Sequence, residues 1–479
     1  MVATLGALAA CTAAQEAPFT EYPDPPSGED DAGEAGTDAR AARDASDAEA
    51  AAMPTGKQVL TGPVFIEGVT EGGNLVFEHG ANLQVLVGGS LTPVTVATDY
   101  DPGNDALLLR GRFVAAWLGS ATAALPLTLW AKNGGVQTVA AKTYATAFWA
   151  KPAADEFAYS TPSASPLRHH VWASVAGGGA GTQVVNDLST GYLDAPCRPK
   201  LLWSTTALVV AGCPNAASTA SVTIFAADGS GPSKTLLTGS APGLWLDRAR
   251  THALVQTSAA SSIRPLAGSA ATVALDGPIR QAVFSSNDAL VVYLASDGTV
   301  KRASTSAPAA PVTLAPSALS LLAVSPDARF TLFATSGDPD KNDSDLVVAD
   351  ATTPGTTRSF NDHAAFIGLS ASGTHAVWLE DLGIGLEGTL YVAALPNGVP
   401  QKISPLAERV RLEGDVVYWQ EFDKPSKSNT LRAARVASAV PVIDVEKNLD
   451  SLTTDTVVIG KSLFIANKLG LWGYKAVTP

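Results

Sequence analysis

Residues 324–350 read VSPDARFTLFATSGDPDKNDSDLVVAD and contain two apolar runs, at 330–334 and 346–349, separated by Ser, Pro, Asp and Gly. Short apolar runs bounded by turn-forming residues are typical of buried β-strands. Related phrases recur at 69–89, 283–304, 369–381 and 412–422, with weaker copies at 152–162, 246–258 and 453–467. The repeated unit is predicted to be four short strands, because a third apolar run and a Thr-rich fourth run follow the first two in the clearest copies.

The repeat has a regular spacing. The centre of the predicted second strand, taken as a marker in each unit, recurs every 37 to 51 residues, at Val76, Val114, Phe157, Leu208, Leu254, Val291, Leu332, Val377, Val417 and Phe464. This period falls in the range of a four-stranded propeller blade. A blade packs against a neighbour on each face, which accounts for strands that are apolar on both sides. The sequence therefore predicts an all-β protein, a β-propeller of about eight to ten units, in one large ring or two smaller ones.

The stretch at 324–350 resembles the repeat of Tol-type, WD-repeat-like β-propellers. Ser325, Pro326, Asp327 and Arg329 match the Ser-Pro-Asp-Gly-Arg turn of that family, and Ala328 stands where the family has glycine. The resemblance implies the fold over most of 57–479. It implies little about activity, since propellers include hydrolases, scaffolds and sugar-binding proteins.

The two ends of the repeat region complement each other. KQVLTG (57–62) stands alone before the first unit, and the last unit ends after its third strand at GLWGYKAVTP (470–479). The early strand is predicted to supply the missing fourth strand of the last unit, which would close the ring and remove exposed sheet edges.

Negative charge is concentrated near the N-terminus. The chain carries a net charge of −13, and the segment 16–49 contains eleven carboxylates against Arg40 and Arg43. The rest is close to neutral and has no basic stripe, which argues against a nucleic-acid partner. Residues 12–56 have few apolar anchors and are predicted to be a disordered, extended acidic linker. The predicted organisation is a signal segment at 1–11, a linker at 12–56 and a propeller domain at 57–479.

Leu8, Ala9, Ala10 and Cys11 form the motif L-A-A-C, which resembles the lipobox of bacterial lipoproteins. The resemblance implies that Cys11 is acylated and becomes the mature N-terminus, and that the protein is exported and lipid-anchored. The resemblance also implies that Thr12, as the residue after the acylated cysteine, favours sorting of the protein to the outer membrane. Residues 1–10 contain no Lys or Arg, so we expect a start codon upstream of Met1. The alternative is an apolar terminus with an incidental cysteine.

The remaining cysteines, Cys197 and Cys213, flank a predicted hairpin. If its arms meet through residues 204–206, then position 203 lies opposite 207 and Cys197 lies opposite Cys213. Directly opposed strand residues are close enough for a disulfide. The alternative is two reduced core cysteines.

One acidic loop suggests calcium. Asp338, Asp340, Asn342 and Asp345 offer several oxygen ligands from one segment, as Ca²⁺ prefers. However, Asp343 stands where an EF-hand loop has glycine, and no Glu occupies the twelfth position. The alternative is a solvated hairpin loop, and no other cofactor is predicted.

The common catalytic motifs do not occur. The sequence lacks G-x-S-x-G and H-E-x-x-H, and GGGAGT (177–182) fits a turn better than a nucleotide loop. His169 and His170 would place one imidazole on each face of a strand, as blade residues. We therefore predict a non-enzymatic binding or scaffold module that presents its ring to a protein or glycan of the cell envelope.

The alternative is an enzyme, a hydrolase or lyase, with an active site assembled from several blades at the central channel. Convergent Asp, Glu, His or Arg side chains with perturbed pKa values would favour the enzyme. An apolar or mixed channel lining would favour the binding module.

Overall fold

The computed structural model describes residues 57–475 apart from short segments, and these segments are 88–91, 120–123, 144–147, 164–167, 180, 190–199, 214–218, 240, 242, 269–270, 308, 339–342, 383–386, 424–427, 439–441, 451–454, 460–461 and 468. The predictions for the signal segment with Cys11 and for the linker at 12–56 lie outside the described residues. No helix occurs in the described part of the chain. It therefore includes no helix of the length and apolar character that crossing a membrane requires.

The first twenty-one strands are β1 (Lys57–Thr61), β2 (Val64–Val69), β3 (Leu75–His79), β4 (Asn82–Leu86), β5 (Pro93–Thr98), β6 (Ala106–Arg110), β7 (Phe113–Trp117), β8 (Leu125–Ala131), β9 (Gly135–Thr143), β10 (Phe148–Ala150), β11 (Glu156–Pro162), β12 (Arg168–Val175), β13 (Thr182–Ser189), β14 (Lys200–Trp203), β15 (Ala207–Gly212), β16 (Ser221–Ala226), β17 (Pro232–Thr238), β18 (Gly243–Leu246), β19 (His252–Gln256), β20 (Ser261–Pro265) and β21 (Val273–Leu275).

The remaining strands are β22 (Ile279–Phe284), β23 (Leu290–Ala295), β24 (Val300–Ser304), β25 (Val312–Ala315), β26 (Ser320–Val324), β27 (Phe330–Ala334), β28 (Gly337–Asp338), β29 (Asp343–Asp350), β30 (Thr357–Leu369), β31 (His375–Glu380), β32 (Gly388–Ala394), β33 (Gln401–Glu413), β34 (Val416–Asp423), β35 (Ser428–Arg435), β36 (Ile443–Asp450), β37 (Asp455–Ile459), β38 (Ser462–Asn467) and β39 (Gly470–Lys475).

These strands form ten four-stranded antiparallel units, which we call blades 1 to 10. Blades 1 to 6 are β2–β5, β6–β9, β10–β13, β14–β17, β18–β21 and β22–β25. Blades 7 to 9 are joined into one sheet because β30 and β33 are long enough to serve two blades each. The first half of β30 pairs with β29 and its second half with β31; β33 pairs with β32 and then β34 in the same way.

The predicted repeat is confirmed at every unit. All ten markers lie on the second strand of a blade, from Val76 on β3 to Phe464 on β38. The second strand is largely buried in every blade, and the residues of β7 and β15 are all buried. A continuous apolar run is therefore a reliable marker, because the second strand is covered on both faces and has a neighbouring strand on both edges.

The blades form a single closed ring. Ten clusters of buried side chains each join two consecutive blades. On β3, Val76 packs against blade 2, whereas Leu75 and Phe77 pack against Phe464 of blade 10. Because the tenth blade contacts the first, the alternative of two smaller rings is excluded. The core is thus divided into ten interfaces between sheets.

Blade 10 is completed from the other end of the chain. Its strand order is β37-β38-β39-β1, so the predicted closure by residues 57–62 is confirmed. Lys57 lies opposite Gly473, and Thr61 lies opposite Gly470. The contact is tight, because a Cβ atom on Gly470 would lie 2.1 Å from the carbonyl oxygen of Leu60.

The turn between the first and second strands has a common construction. In blade 7, the Ser325 hydroxyl accepts a hydrogen bond from the Phe330 amide at 2.8 Å, and Ser285 and Ser370 do the same in blades 6 and 8. Ala328 has a φ of 55°, in the left-handed region. The same position is left-handed in four other blades, at Gly73, Arg250, Asp288 and Gly373.

Candidate functional site at the inner wall of the ring

The first strands of the ten blades line the centre of the ring. In blades 1 to 7 and in blade 10 the first strand lies at one end of its sheet, and in blades 8 and 9 it is the second half of β30 or β33. First strands of consecutive blades contact one another, for example β2 with β37 and β18 with β22. The fourth strands β5, β17 and β25 contain more exposed residues and lie at the periphery. We call the surface formed by the ten first strands the inner wall.

Most side chains of the inner wall are apolar, and several of its aromatic side chains are partly exposed. Phe65 is 38% exposed, and Trp149, Trp245 and Phe366 are half-buried. The Trp245 indole lies against its own strand because Gly243 has no side chain, and a Cβ atom there would lie 2.3 Å from the ring. Partly exposed aromatic side chains on a rigid scaffold offer contact area at little cost in conformational entropy.

Three cations lie on the first strands of blades 2, 4 and 6. Arg110 donates to the carbonyl oxygen of Phe148 at 3.3 Å, which ties blade 2 to blade 3. The Lys200 ammonium lies 5.3 Å from the centre of the Trp245 ring, within the range of a cation–π interaction. Arg280 is exposed and donates to the carbonyl oxygen of Ser296 at 2.7 Å.

The first strand of blade 9 differs from the others. The second half of β33 reads ERVRLE (408–413), with four charged side chains among six residues. Arg409 pairs with Asp455 on the first strand of blade 10, at 3.4 Å. Val410 and Leu412 on the same strand pack into the core shared with blade 8. Arg409, Arg411 and Glu413 alternate with these two, so this polar side of the strand faces blade 10.

Two carboxyl groups of this strand have raised pKa values. Burial raises the pKa of Glu413 to about 7, and the nearby charge of Arg411 opposes part of this effect. Burial also raises the pKa of Glu408, and Glu387 raises it further by charge repulsion. Burial, with a smaller contribution from Glu413, raises the pKa of Tyr418. A carboxyl group with a pKa near neutrality can exchange a proton at physiological pH.

The inner wall therefore has a mixed lining, apolar and aromatic over most blades and charged at blades 9 and 10. Within the described residues, no group of three or more His, Cys, Asp or Glu side chains is placed to hold a metal ion. Sequence reasoning missed the charged strand at 408–413, although its signal was present. The copy of the repeat that the sequence predicts begins at Leu412, so it leaves out residues 408–411, which are the most polar part of the strand.

The candidate calcium loop is only partly visible. Asp338 lies on the short strand β28, whereas Asp340 and Asn342 lie outside the described residues. The Asp345 carboxylate accepts hydrogen bonds from the hydroxyls of Thr335 and Ser336, at 3.0 and 2.6 Å. Its Oδ2 atom thus already has two donors from the protein, and a calcium ion at this loop stays a prediction.

Cys213 is buried and disulfide-bonded. Cys197 lies outside the described residues, so its pairing with Cys213 stays a prediction. The hairpin register used to predict it was wrong by one residue. Trp203 lies opposite Leu208 instead of 207, because Ser204 and Ala207 close a turn through hydrogen bonds of 2.8 and 2.9 Å.

The histidine pair lies on β12, within blade 3. His169 Nδ1 is hydrogen-bonded to the Ser160 hydroxyl at 3.0 Å, and His170 Nδ1 lies 3.5 Å from the Gln183 amide nitrogen. Burial, with repulsion from His170, lowers the pKa of His169. The two imidazoles therefore contact separate neighbours in the blade.

The fold defines the chain as a β-propeller with ten four-stranded blades. No protein-family model matches the sequence, and no curated protein matches it. Similar solved structures include a eukaryotic initiation factor, with 12% identity over 77% of this chain and 93% of that chain and a TM-score of 0.49. The C-terminal WD40 domain of Sif2 has 13% identity over 71% of this chain and 98% of its own, with a TM-score of 0.40.

A prolyl endopeptidase is also similar, with 11% identity over 85% of this chain and 55% of that chain and a TM-score of 0.38. The description of the chain as a propeller rests on its own sheet order and on the ten interfaces between blades.

Proposed function

We propose that the protein is a binding or scaffold module that presents the inner wall of its ring to a protein or glycan of the cell envelope. The observation that carries the proposal is the mixed lining of the wall. Trp and Arg, which both occur on the wall, are among the residue types that dominate binding energy in protein interfaces. The closed ring holds them in fixed positions, which lowers the entropy that binding must overcome.

The test is affinity capture from envelope extracts with the full chain as bait. Phe65→Ser and Phe366→Ser remove aromatic surface from the inner wall. Val399→Ser is the matched control, because Val399 is 77% exposed between the third and fourth strands of blade 8. We expect the wild type and the control to capture the same partner, and both wall variants to lose most of it. Equal capture by all four proteins would contradict a binding role for the wall.

A second candidate function is favoured by Glu413. Its pKa of about 7 suits a general acid or base in a hydrolase or lyase whose site is assembled at the ring centre. Glu413→Gln keeps the shape of the side chain and removes its proton transfer. If the protein is an enzyme, we expect the purified wild type to turn over envelope peptides or glycans. We then expect Glu413→Gln to lower kcat at least a hundredfold. Turnover by neither protein, together with partner capture by both, would favour the binding module.

The proposed location is the outer membrane, reached by export and held by a lipid on Cys11. The support comes from the L-A-A-C motif and the acidic segment behind it. Incorporation of radiolabelled fatty acid, followed by membrane fractionation, tests this for the wild type and for Cys11→Ala. We expect label and membrane association in the wild type only. Equal labelling of the two proteins would rule out the anchor.

A further inference from the structure

The charges of the inner wall are sorted around the ring. The first strands of blades 2 to 6 carry Arg110, Lys200 and Arg280 and no carboxylate. The first-strand carboxylates lie on blades 9, 10 and 1, at Glu408, Glu413, Asp455 and Glu67. Blades 7 and 8 carry no charge on their first strands. One arc of the wall is thus basic and the opposite arc is mainly acidic.

The basic arc also contains two partly exposed tryptophans, whereas Trp203, on the first strand of blade 4, is buried. Trp149 lies on the first strand of blade 3 and Trp245 on that of blade 5, between the three cations. Lys200 lies over the Trp245 ring. Arg280 forms no ion pair with any residue that the structure describes, and its guanidinium bonds to a main-chain carbonyl. In the acidic arc, by contrast, Arg409 is compensated by Asp455.

The first strands also present main-chain groups. In each of blades 2 to 6 the first strand is the end strand of its sheet, so one of its edges has no partner strand within the blade. An extended polypeptide can add hydrogen bonds to such an edge, and its side chains can then contact those of the strand. A glycan or a nucleic acid has no matching row of alternating donors and acceptors. This feature favours a polypeptide as the occupant of the wall.

We propose that the basic arc, formed by the first strands of blades 2 to 6, binds an extended acidic segment of a partner protein. This inference rests on the proposed binding function. Guanidinium groups pair with carboxylates through charge-assisted hydrogen bonds, and the tryptophans contact apolar side chains between the carboxylates. The acidic arc opposite repels such a segment, which fixes the side of the ring on which it lies.

The experiment measures fluorescence anisotropy of a labelled (Glu-Leu)6 peptide with the full chain at low salt. Lys200→Gln/Arg280→Gln removes two positive charges from the basic arc. The matched control is Lys132→Gln/Lys402→Gln, which removes two positive charges from exposed positions that lie between the third and fourth strands of blade 2 and on the fourth strand of blade 8. We expect at least tenfold weaker binding in the arc variant and no more than a twofold change in the control. Arg280→Lys, which keeps the charge, should stay within threefold of the wild type.

Several outcomes would overturn the inference. One is an equal loss of peptide affinity in the arc variant and the control, which would indicate general charge attraction. Another is a wild type that has a normal thermal midpoint but does not bind the peptide. Binding of polygalacturonate but not of the peptide would assign the arc to an acidic glycan instead. If the arc variant still captures the envelope partner that the Phe65 and Phe366 variants lose, this inference fails and the proposed function stands.

Discussion

Ala328 occupies the turn position at which the resembling repeat has glycine, and the backbone there is left-handed. A side chain in this conformation costs about 1 to 2 kcal/mol. The Ala328 methyl group is fully buried in the core between blades 6 and 7, and burial of such a group contributes about 0.8 kcal/mol. Burial of the Ala328 methyl group therefore offsets the strain of placing alanine where the resembling repeat has glycine.

The first prediction concerns this residue. We expect Ala328→Gly to change the free energy of unfolding by less than about 1 kcal/mol, since relief of strain and loss of the methyl group nearly cancel. Ala328→Val should destabilise by more than about 2 kcal/mol, because a β-branched residue tolerates the left-handed region poorly and overfills the core. Denaturant unfolding measures both. A stabilised valine variant would show that the turn relaxes.

Glu413 predicts a pH dependence of stability. Its pKa is about 7 in the folded protein, against 4.5 for the ordinary group, so the folded state binds more protons between these values. The stability that this group contributes is fully present below pH 4.5 and is lost as the pH rises through 7. Glu413→Gln should therefore match the wild type at pH 4 and be more stable at pH 8, on the order of 2 kcal/mol.

The thermal midpoint at the two pH values measures this effect. Glu29→Gln, in the acidic segment 16–49, makes the same change of charge outside the described residues and serves as control. An equal shift in both variants would assign the effect to net charge instead of to the blade 9 strand.

At the scale of elements, consecutive blades are tied by their first turns. The Ser286 amide donates to the Pro326 carbonyl at 2.6 Å, and the Glu71 amide donates to the Gly111 carbonyl at 2.8 Å. Between blades 5 and 6 a side chain makes the tie, since the Asp288 carboxylate accepts from the amides of Arg248 and Ala249 at 2.7 and 2.8 Å. These bonds add directional contacts to the apolar interfaces between sheets.

Asp288→Ala should destabilise the ring by about 2 kcal/mol, because it removes two charge-assisted hydrogen bonds and places alanine in the left-handed region. Asp288→Asn should cost less, since Asn accepts one of these bonds and tolerates the backbone conformation. Asp297→Ala is the control, because that carboxylate bonds to Thr299 within its own turn. If the two alanine variants lose equal stability in denaturant unfolding, the tie between blades contributes nothing of its own.

The strands show what sequence patterns can predict. The second strands are recognisable because they are covered on all sides and read as continuous apolar runs, such as FVAAW (113–117). The first strands are harder to find, since they are half-exposed and their polarity varies, from ALLLR on β6 to ERVRLE on β33. The hairpin register after Trp203 was missed because side-chain hydrogen bonds of Ser204, invisible to periodicity, set the length of the turn.

At the scale of the molecule, the pairing of β1 with β39 makes the ring one continuous structure. The pattern at 57–62 predicted this pairing, since an isolated strand and a three-stranded last unit complete each other. The number of blades followed from the period, but the choice between one ring and two depended on which sheet faces meet. That information lies in contacts such as Phe464 with Leu75, more than 380 residues apart in the chain.

Removal of residues 1–61 should lower the thermal midpoint and promote self-association, because β39 then becomes an exposed edge. Removal of residues 1–56 should change neither. Gly470→Ala should resemble the longer truncation, since its methyl group would clash with the Leu60 carbonyl. Differential scanning calorimetry and size-exclusion chromatography measure these effects. Identical behaviour of the two truncations would show that β1 is dispensable.

The same closing strand sets an order of events during synthesis. β1 is among the first parts of the propeller to leave the ribosome, and its partner β39 is among the last. β1 therefore cannot pair until nearly the whole chain has been synthesised. Pairing at such a long separation is slow to form and leaves an edge open in the meantime. The ring therefore stays open, with β1 unpaired, until its final strand has been made.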